Sequence, residues 1–195
     1  MEKKEKLEQV NRLVQKLGLS PQEAVEYFSA KIVESSSVVR ECEVAVGVLP
    51  GMYVYADGLI SAELITGRQV MAVVGSVDGS DVLAVCLQEA CLPWFSDWQG
   101  AEAAQWCYDY AEDGVKQGEA FLPSLTELEK LFANKAAINV SLKALGAALF
   151  ERWYWSSTEG TNTSAWKFSM NYGYRNGNFK SNSNNYARSV ITILL

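Results

Sequence analysis

One stretch limits what the rest of this chain can be. From Trp153 to Val190 it is built largely of Asn, Ser, Tyr and Gly, and Trp153, Trp155 and Trp166 pin it. Seven of the ten Asn in the chain lie between Gly160 and Tyr186. Asn, Gly and Ser favour turns, so the stretch is expected to sit mostly in loops. Tyr among small polar residues is also the composition of evolved binding loops, where Tyr gives contact area at low entropy cost. After Glu159 there is no Asp or Glu, whereas Lys167, Arg175, Lys180 and Arg188 remain, so the last 36 residues carry +4. A binding face at this end would tolerate or prefer anionic partners. The plainer reading is a Gly/Asn-rich β-meander with wet turns.

The remainder bounds the class. A chain of 195 residues makes one domain, with room for an extension, and is long enough to bury a sizeable core. Its net charge of −6 argues against a nucleic-acid partner. Residues 1–6 are charged and no apolar run follows, so no secretory signal is read. No stretch approaches the roughly 18 apolar residues of a membrane span. The expectation is a cytoplasmic protein, or one exported by another route or carried on a phage particle or other assembly; a trimmed leader is the alternative. The cysteines, Cys42, Cys86, Cys91 and Cys107, match no zinc spacing, and His is absent. Cys86 and Cys107 sit in apolar patterns and are read as small buried hydrophobes.

In chain order, residues 2–17 read as an amphipathic helix, with Leu7, Val10, Val14 and Leu17 at helical spacing. Ser20, Pro21 and Glu23 open a second helix ending near Ser35. Residues 1–36 are thus an N-terminal helical segment, either an oligomerisation arm or a cap on the domain that follows. From residue 37 the pattern turns to strands: Val44–Leu49, Met52–Gly58, Ile60–Ile65, and a hairpin of Val70–Val77 and Val82–Leu87. The hairpin strands are almost continuously apolar, so both of their faces are expected to be covered. Ala101–Glu112 reads as a helix with Ala104, Cys107, Tyr108 and Ala111 inward. Ser124 and Glu127 form a capping box before Leu128, Leu131 and Phe132. Asn134–Phe150 reads as one helical run, with Gly146 leaving its end open. After Trp153, β structure returns, with Ala165–Met170 and Ser189–Leu195 as strands.

Catalytic chemistry finds little to work with. Without His, Ser-His and Cys-His nucleophile arrangements are excluded. There is no GxSxG, and Gly173–Gly177 lacks the Lys and Ser/Thr of a phosphate loop. The carboxylates Asp57, Asp78, Asp81, Asp97, Asp109, Glu112 and Asp113 include no evident acid–base couple and are read as surface groups. No EF-hand pattern occurs. No catalytic residue, metal site or cofactor is therefore expected.

Leu122–Leu128, Asn134–Asn139, Tyr154–Glu159, Ala165–Trp166 and Tyr186–Arg188 together carry a resemblance. They resemble bacterial domains with a C-type-lectin-like fold, and within these most of all the variable proteins of diversity-generating retroelements. The similarity runs from about Met52 to Leu195 and is strongest from Phe121 onward. It implies an α+β, C-type-lectin-like domain over 37–195, with two helices flanking twisted antiparallel sheets and the first and last strands near each other. It further implies a variable region at about 153–190, in which rewriting of template adenines alters surface side chains while the scaffold is kept. The implied partner is a protein or cell-surface ligand of variable identity; the alternative is a fixed-specificity binding or adhesion domain, for instance for carbohydrate. The calcium-dependent lectins of this fold need carboxylates that the tail lacks, and the formylglycine-generating enzymes need a Cys pair beyond Cys107.

An Asn codon of the form AAC can become Ser, Thr, Tyr, Gly, Arg or Phe, but not Trp, Met or Lys. On that reading Trp155, Trp166 and Met170 are scaffold, with Arg188. The candidate ligand-binding positions are Thr161, Asn162, Thr163, Ser169, Asn171, Tyr172, Tyr174, Arg175, Asn176, Asn178, Ser181, Asn182, Ser183 and Asn184. Lys167 and Lys180 are less clear-cut members. Tyr172 and Tyr174 are expected to be the contact anchors, since aromatic residues dominate binding hot spots.

Overall fold

The computed structural model describes residues 47–95 and 101–195. The chain divides into two compact units, Met1–Gly47 and Val48–Leu195. The expected N-terminal helices, residues 44–46 of the first expected strand, and Cys42 and Asp97 lie outside the described residues; residues 47–49 are not strand.

Strands β1 (Tyr53–Tyr55) and β2 (Ile60–Ser61) pair antiparallel across the expected turn. β3 (Val70–Asp78) and β4 (Asp81–Cys91) form the expected hairpin, closed by Gly79 and Ser80. Three helices follow: α1 (Glu102–Asp109), α2 (Leu125–Ala133) and α3 (Lys135–Ala144). The chain ends in β5 (Trp153–Thr161), β6 (Ser164–Ser169), β7 (Arg175–Phe179) and β8 (Tyr186–Leu194). Among the described residues the result is a mixed α+β domain with an eight-stranded sheet in the order β2-β1-β3-β4-β8-β5-β6-β7. β8 pairs antiparallel with β4 and meets β5 in parallel, and two strands, β3 and β4, lie between it and β1.

The apolar hairpin is covered on both faces, as its near-continuous hydrophobicity requires. On one face Val73, Leu83 and Val85 pack with Leu128 and Leu131 of α2 and Ile138 and Leu142 of α3. On the other, Val74, Val82, Ala84 and Cys86 pack with Tyr110 and Val115. The Ser124 capping box forms in full: Glu127 N–H donates to Ser124 Oγ at 3.3 Å, and Ser124 N–H donates to Glu127 Oε2 at 2.6 Å.

Two helices differ from their sequence pattern. The inward face of α1 is Ala103, Cys107 and the following Tyr110, with the expected Ala104 half-buried beside them, while Tyr108 is 53% exposed and Ala111 lies in solvent. The bulky pair decides the rotation: Trp106 and Tyr110 meet with ring centres 5.9 Å apart, burying far more surface than Ala104 and Ala111 could. The run expected to reach Phe150 stops at Ala144, because Gly146 takes a left-handed φ of 68°, a conformation that ends helices. Among the described residues no helix is long and apolar enough to cross a membrane.

Candidate functional site, a polar and aromatic face on the outer strands

The outer three strands, β5 to β7, and the turns and loop attached to them carry the candidate residues. Register sorts them between two faces. Pairs Trp155–Lys167 and Lys167–Asn176 share one face, and pairs Tyr154–Phe168 and Phe168–Arg175 share the other. Tyr154 and Phe168 belong to the core beneath α2, and Phe132 meets Phe168 edge-on at 5.6 Å. Trp155 and Ala165 belong to a second cluster with Ala103, Cys107 and Ala187. Each face thus has a buried part, and each is open where the strands run past their covering elements.

The stretch expected to be mostly loop is in large part strand. Thr161 closes β5, Ser169 closes β6, and Arg175, Asn176 and Asn178 lie in β7. Asn and Gly are poor strand formers, but β7 is held by a full ladder to β6, itself fixed by Ala165 and Phe168 in the core. Cross-strand pairing overrides local propensity here.

On the face shared by Lys167 and Asn176, an aromatic row stands open. Tyr172 and Tyr174 are 71% and 51% exposed and stack with centres 6.0 Å apart. Tyr174 meets Trp153 edge-on at 5.2 Å, and Lys167 Nζ lies 4.4 Å from the Trp153 ring centre. Lys167 Nζ also donates to Asn185 Oδ1 at 3.1 Å, and partial burial lowers its pKa. The return loop after β7 crosses this side. Its backbone is tied at Trp94 N–H and Phe95 N–H, which both donate to Lys180 O, and at Leu92 N–H, which donates to Asn185 O. Exposed Ser181, Ser183 and Asn184 lie along it, and Asn182 Oδ1 accepts from Asn184 N–H and Asn185 Nδ2.

The fourteen candidate positions do not all serve one surface. Asn162 and Thr163 turn at one end of β6, and Asn171–Tyr174 turn at the other. Tyr172, Tyr174, Asn176, Asn178 and the return loop form the continuous part, while Arg175 faces the opposite side. There it stacks 5.7 Å from the Trp166 ring and stands 4.0 Å from Glu129, beside an open groove floored by Phe132, Phe168 and Gly173. Gly173 has φ 73°, and a Cβ there would sit 2.4 Å from Phe132 Cε1, so the aromatic loop rides flat on α2. Ser169 is buried, with its hydroxyl accepting Tyr172 N–H at 3.2 Å. Thr161 Oγ1 accepts the N–H groups of Thr163 and Ser164. These two side chains shape their own turns. Of the scaffold positions, Trp155, Met170 and Arg188 are fully buried and Trp166 is half-buried.

The positive charge of the tail is only partly available. Lys180 pairs with Glu159 and lies over Trp94, and Arg188 is spent inside the sheet. Lys167 meets no carboxylate among the described residues.

Sequence patterning misses the residue that ties the site to the rest of the sheet. Glu89 is buried, and its carboxylate accepts from Arg188 Nη1 at 3.3 Å, from Arg152 Nε at 3.0 Å and from the Tyr154 hydroxyl. A β-bulge between Val85 and Glu89 leaves carbonyls of β4 out of the ladder. Arg188 fills that gap, with Nε on Cys86 O at 3.0 Å, Nη2 on Leu87 O at 2.6 Å and Nη1 on Ala148 O at 2.8 Å. Burial, with Glu89 adding to it, raises the Tyr154 phenol pKa far above its ordinary value, so Tyr154 stays a donor. Of the carboxylates read as surface groups, Asp57, Asp78, Asp81, Asp109 and Glu112 are exposed, whereas Asp113 is half-buried and accepts from the Tyr110 hydroxyl at 3.1 Å.

A scan against protein-family models and a search of curated proteins return no match to this chain.

Proposed function

We propose that this protein is a non-enzymatic binding module of C-type-lectin-like fold, whose ligand surface is the face of Tyr172, Tyr174, Asn176, Asn178 and Ser181–Asn184. The observation that carries the reading is the stacked pair Tyr172 and Tyr174, held open to solvent on the turn between β6 and β7 and backed by Trp153 and Lys167. Large exposed aromatics are rarely left uncovered without a partner to meet them. The likeness of the tail to retroelement variable proteins extends the reading: the ligand changes as the face is rewritten.

A fixed-specificity binding or adhesion domain is the second reading, and one observation favours it. Ser169, Thr161 and Asn182 each satisfy backbone groups of their own turns, which restricts what can replace them. The two readings part in one experiment, sequencing of this gene from many closely related strains. Diversification predicts substitutions crowded into codons 160–185, concentrated at Asn171, Tyr172, Tyr174, Asn176, Ser181, Ser183 and Asn184. Ser169, Trp155, Trp166, Gly173 and Arg188 stay fixed. A tail identical in every strain, or changes spread evenly over Val48–Leu195, favours the fixed-ligand domain.

A further inference from the structure

From Arg152 onward the chain has five cations, and four of them meet a carboxylate. Arg152 and Arg188 reach Glu89, Lys180 pairs with Glu159, and Arg175 stands 4.0 Å from Glu129. The fifth, Lys167, is half-buried and meets none among the described residues. Its place is nevertheless built. Nζ lies 4.4 Å from the Trp153 ring centre and donates to Asn185 Oδ1 at 3.1 Å. Asn185 is 2% exposed and is itself held at two points. Its Nδ2 donates to Asn182 Oδ1 at 3.3 Å, and its backbone carbonyl accepts Leu92 N–H at 3.1 Å.

An ammonium has three N–H donors. The Asn185 amide takes one and the Trp153 ring covers a second direction, so donor capacity is left over. Burial lowers the Lys167 pKa with no partner to restore it, whereas Asp78 raises that of Lys130. A half-buried ammonium among neutral groups is costly until an anion meets it.

We propose that Lys167, set in place by Asn185 and Trp153, is the subsite on this face for the carboxylate of an acidic sugar, a uronic or sialic acid. One ammonium matches one carboxylate in a charge-assisted bond. Around it, exposed Asn176, Asn184, Ser181 and Ser183 offer amides and hydroxyls that both donate and accept, as sugar hydroxyls do. The open rings of Tyr172 and Tyr174 present electron-rich faces to the C–H groups of a pyranose. An acidic peptide is served less well, because peptides dock along a free sheet edge or in a groove. The β7 edge is closed at Phe179, whose carbonyl accepts Asn182 N–H and whose N–H donates to Asn178 Oδ1. The open groove lies on the Arg175 side, against α2. Trp153, Lys167 and Asn185 are all outside the fourteen candidate positions, so the subsite persists as its surroundings change.

The test titrates the full chain with glucuronic acid, N-acetylneuraminic acid, glucose and N-acetylglutamate, following the Trp153 indole and the Lys167 side chain by NMR. Both acidic sugars are expected to bind about tenfold or more tighter than glucose and N-acetylglutamate, and to weaken as salt rises. Lys167→Gln abolishes that preference and its salt dependence. Asn185→Asp does the same by placing a carboxylate on the ammonium from within the protein, and it decides if Lys167→Gln fails to fold. Glucose binding as tightly as the acids overturns the proposal. So does the absence of a shift with either acid, or acid binding that survives in folded Lys167→Gln. Tighter binding of N-acetylglutamate than of either sugar also overturns it, in favour of an acidic protein partner.

The inference rests on the reading of this face as the ligand surface, and the two fail differently. Capture on an array of glycans and purified cell-surface proteins separates them. Capture lost when Tyr172 and Tyr174 become Ala but kept in Lys167→Gln removes the subsite and leaves the face. Capture that no change on this side affects removes both.

Discussion

Arg188 and Glu89 join three strands through one buried pair. The guanidinium meets the carbonyls of Cys86, Leu87 and Ala148 besides the carboxylate, so removing it strands several polar groups at once. Arg188→Met is expected to cost about 3–5 kcal/mol, the range for breaking a buried pair, read from the shift of the urea unfolding curve. Arg188→Lys is expected to recover little, because an ammonium is a point charge and cannot reach carbonyls on two sides as a planar fork does. Arg188 is legible as scaffold in the sequence through the motif around Tyr186. Glu89 is not: its partners Arg152, Tyr154 and Arg188 are 63, 65 and 99 residues away, beyond any local pattern.

The elements that were legible are those with a local cause. The capping box before α2, the hairpin of β3 and β4 and the strand β8 each follow from spacing or from a continuous apolar run. The outer strands were not, since Asn and Gly signal turns and only the ladder to β6 makes Arg175–Phe179 a strand. The candidate face inherits this: its members were picked by composition, but their division between two faces is a matter of register. The division gives a contrast between neighbours. Replacing Tyr172 and Tyr174 together by Ala is expected to leave the thermal midpoint nearly unmoved, as exposed changes stay within about ±0.5 kcal/mol, while capture on an array of purified cell-surface proteins and glycans is lost. Trp155→Ala, a few ångströms deeper in the same sheet, is expected to cost about 3–5 kcal/mol. If the tyrosine pair instead collapses stability, the rings belong to the core.

At the scale of the molecule, the proposed face offers side-chain amides, hydroxyls and rings. From Gly160 onward the chain has no carboxylate, and hard cations are held mainly by carboxylates. Chelator treatment is expected to leave thermal stability and ligand capture unchanged. A midpoint that climbs by several degrees on adding calcium would instead point to a sugar-lectin type of site. The net charge of −6 is likewise a property of the whole that the face does not share. The tail carries all its formal charge as cations after Glu159, and Lys167 lies beside the aromatic row with no carboxylate partner among the described residues.

The sheet order has a consequence for how the protein is made. Among the described strands β8 is the last to leave the ribosome, and it lies between β4 and β5, which are both finished well before it. Until it arrives, β4 offers the bare edge of an apolar strand and β5 lacks its inner neighbour, while the Glu89 carboxylate awaits Arg188. Pairing of β4 with β8 spans about a hundred residues, the kind of non-local closure that slows folding and prolongs exposure of open edges. Side-chain changes just upstream of β8 therefore alter the segment whose delivery completes the sheet. Changes there are constrained by nascent-chain aggregation as well as by what the finished face must hold.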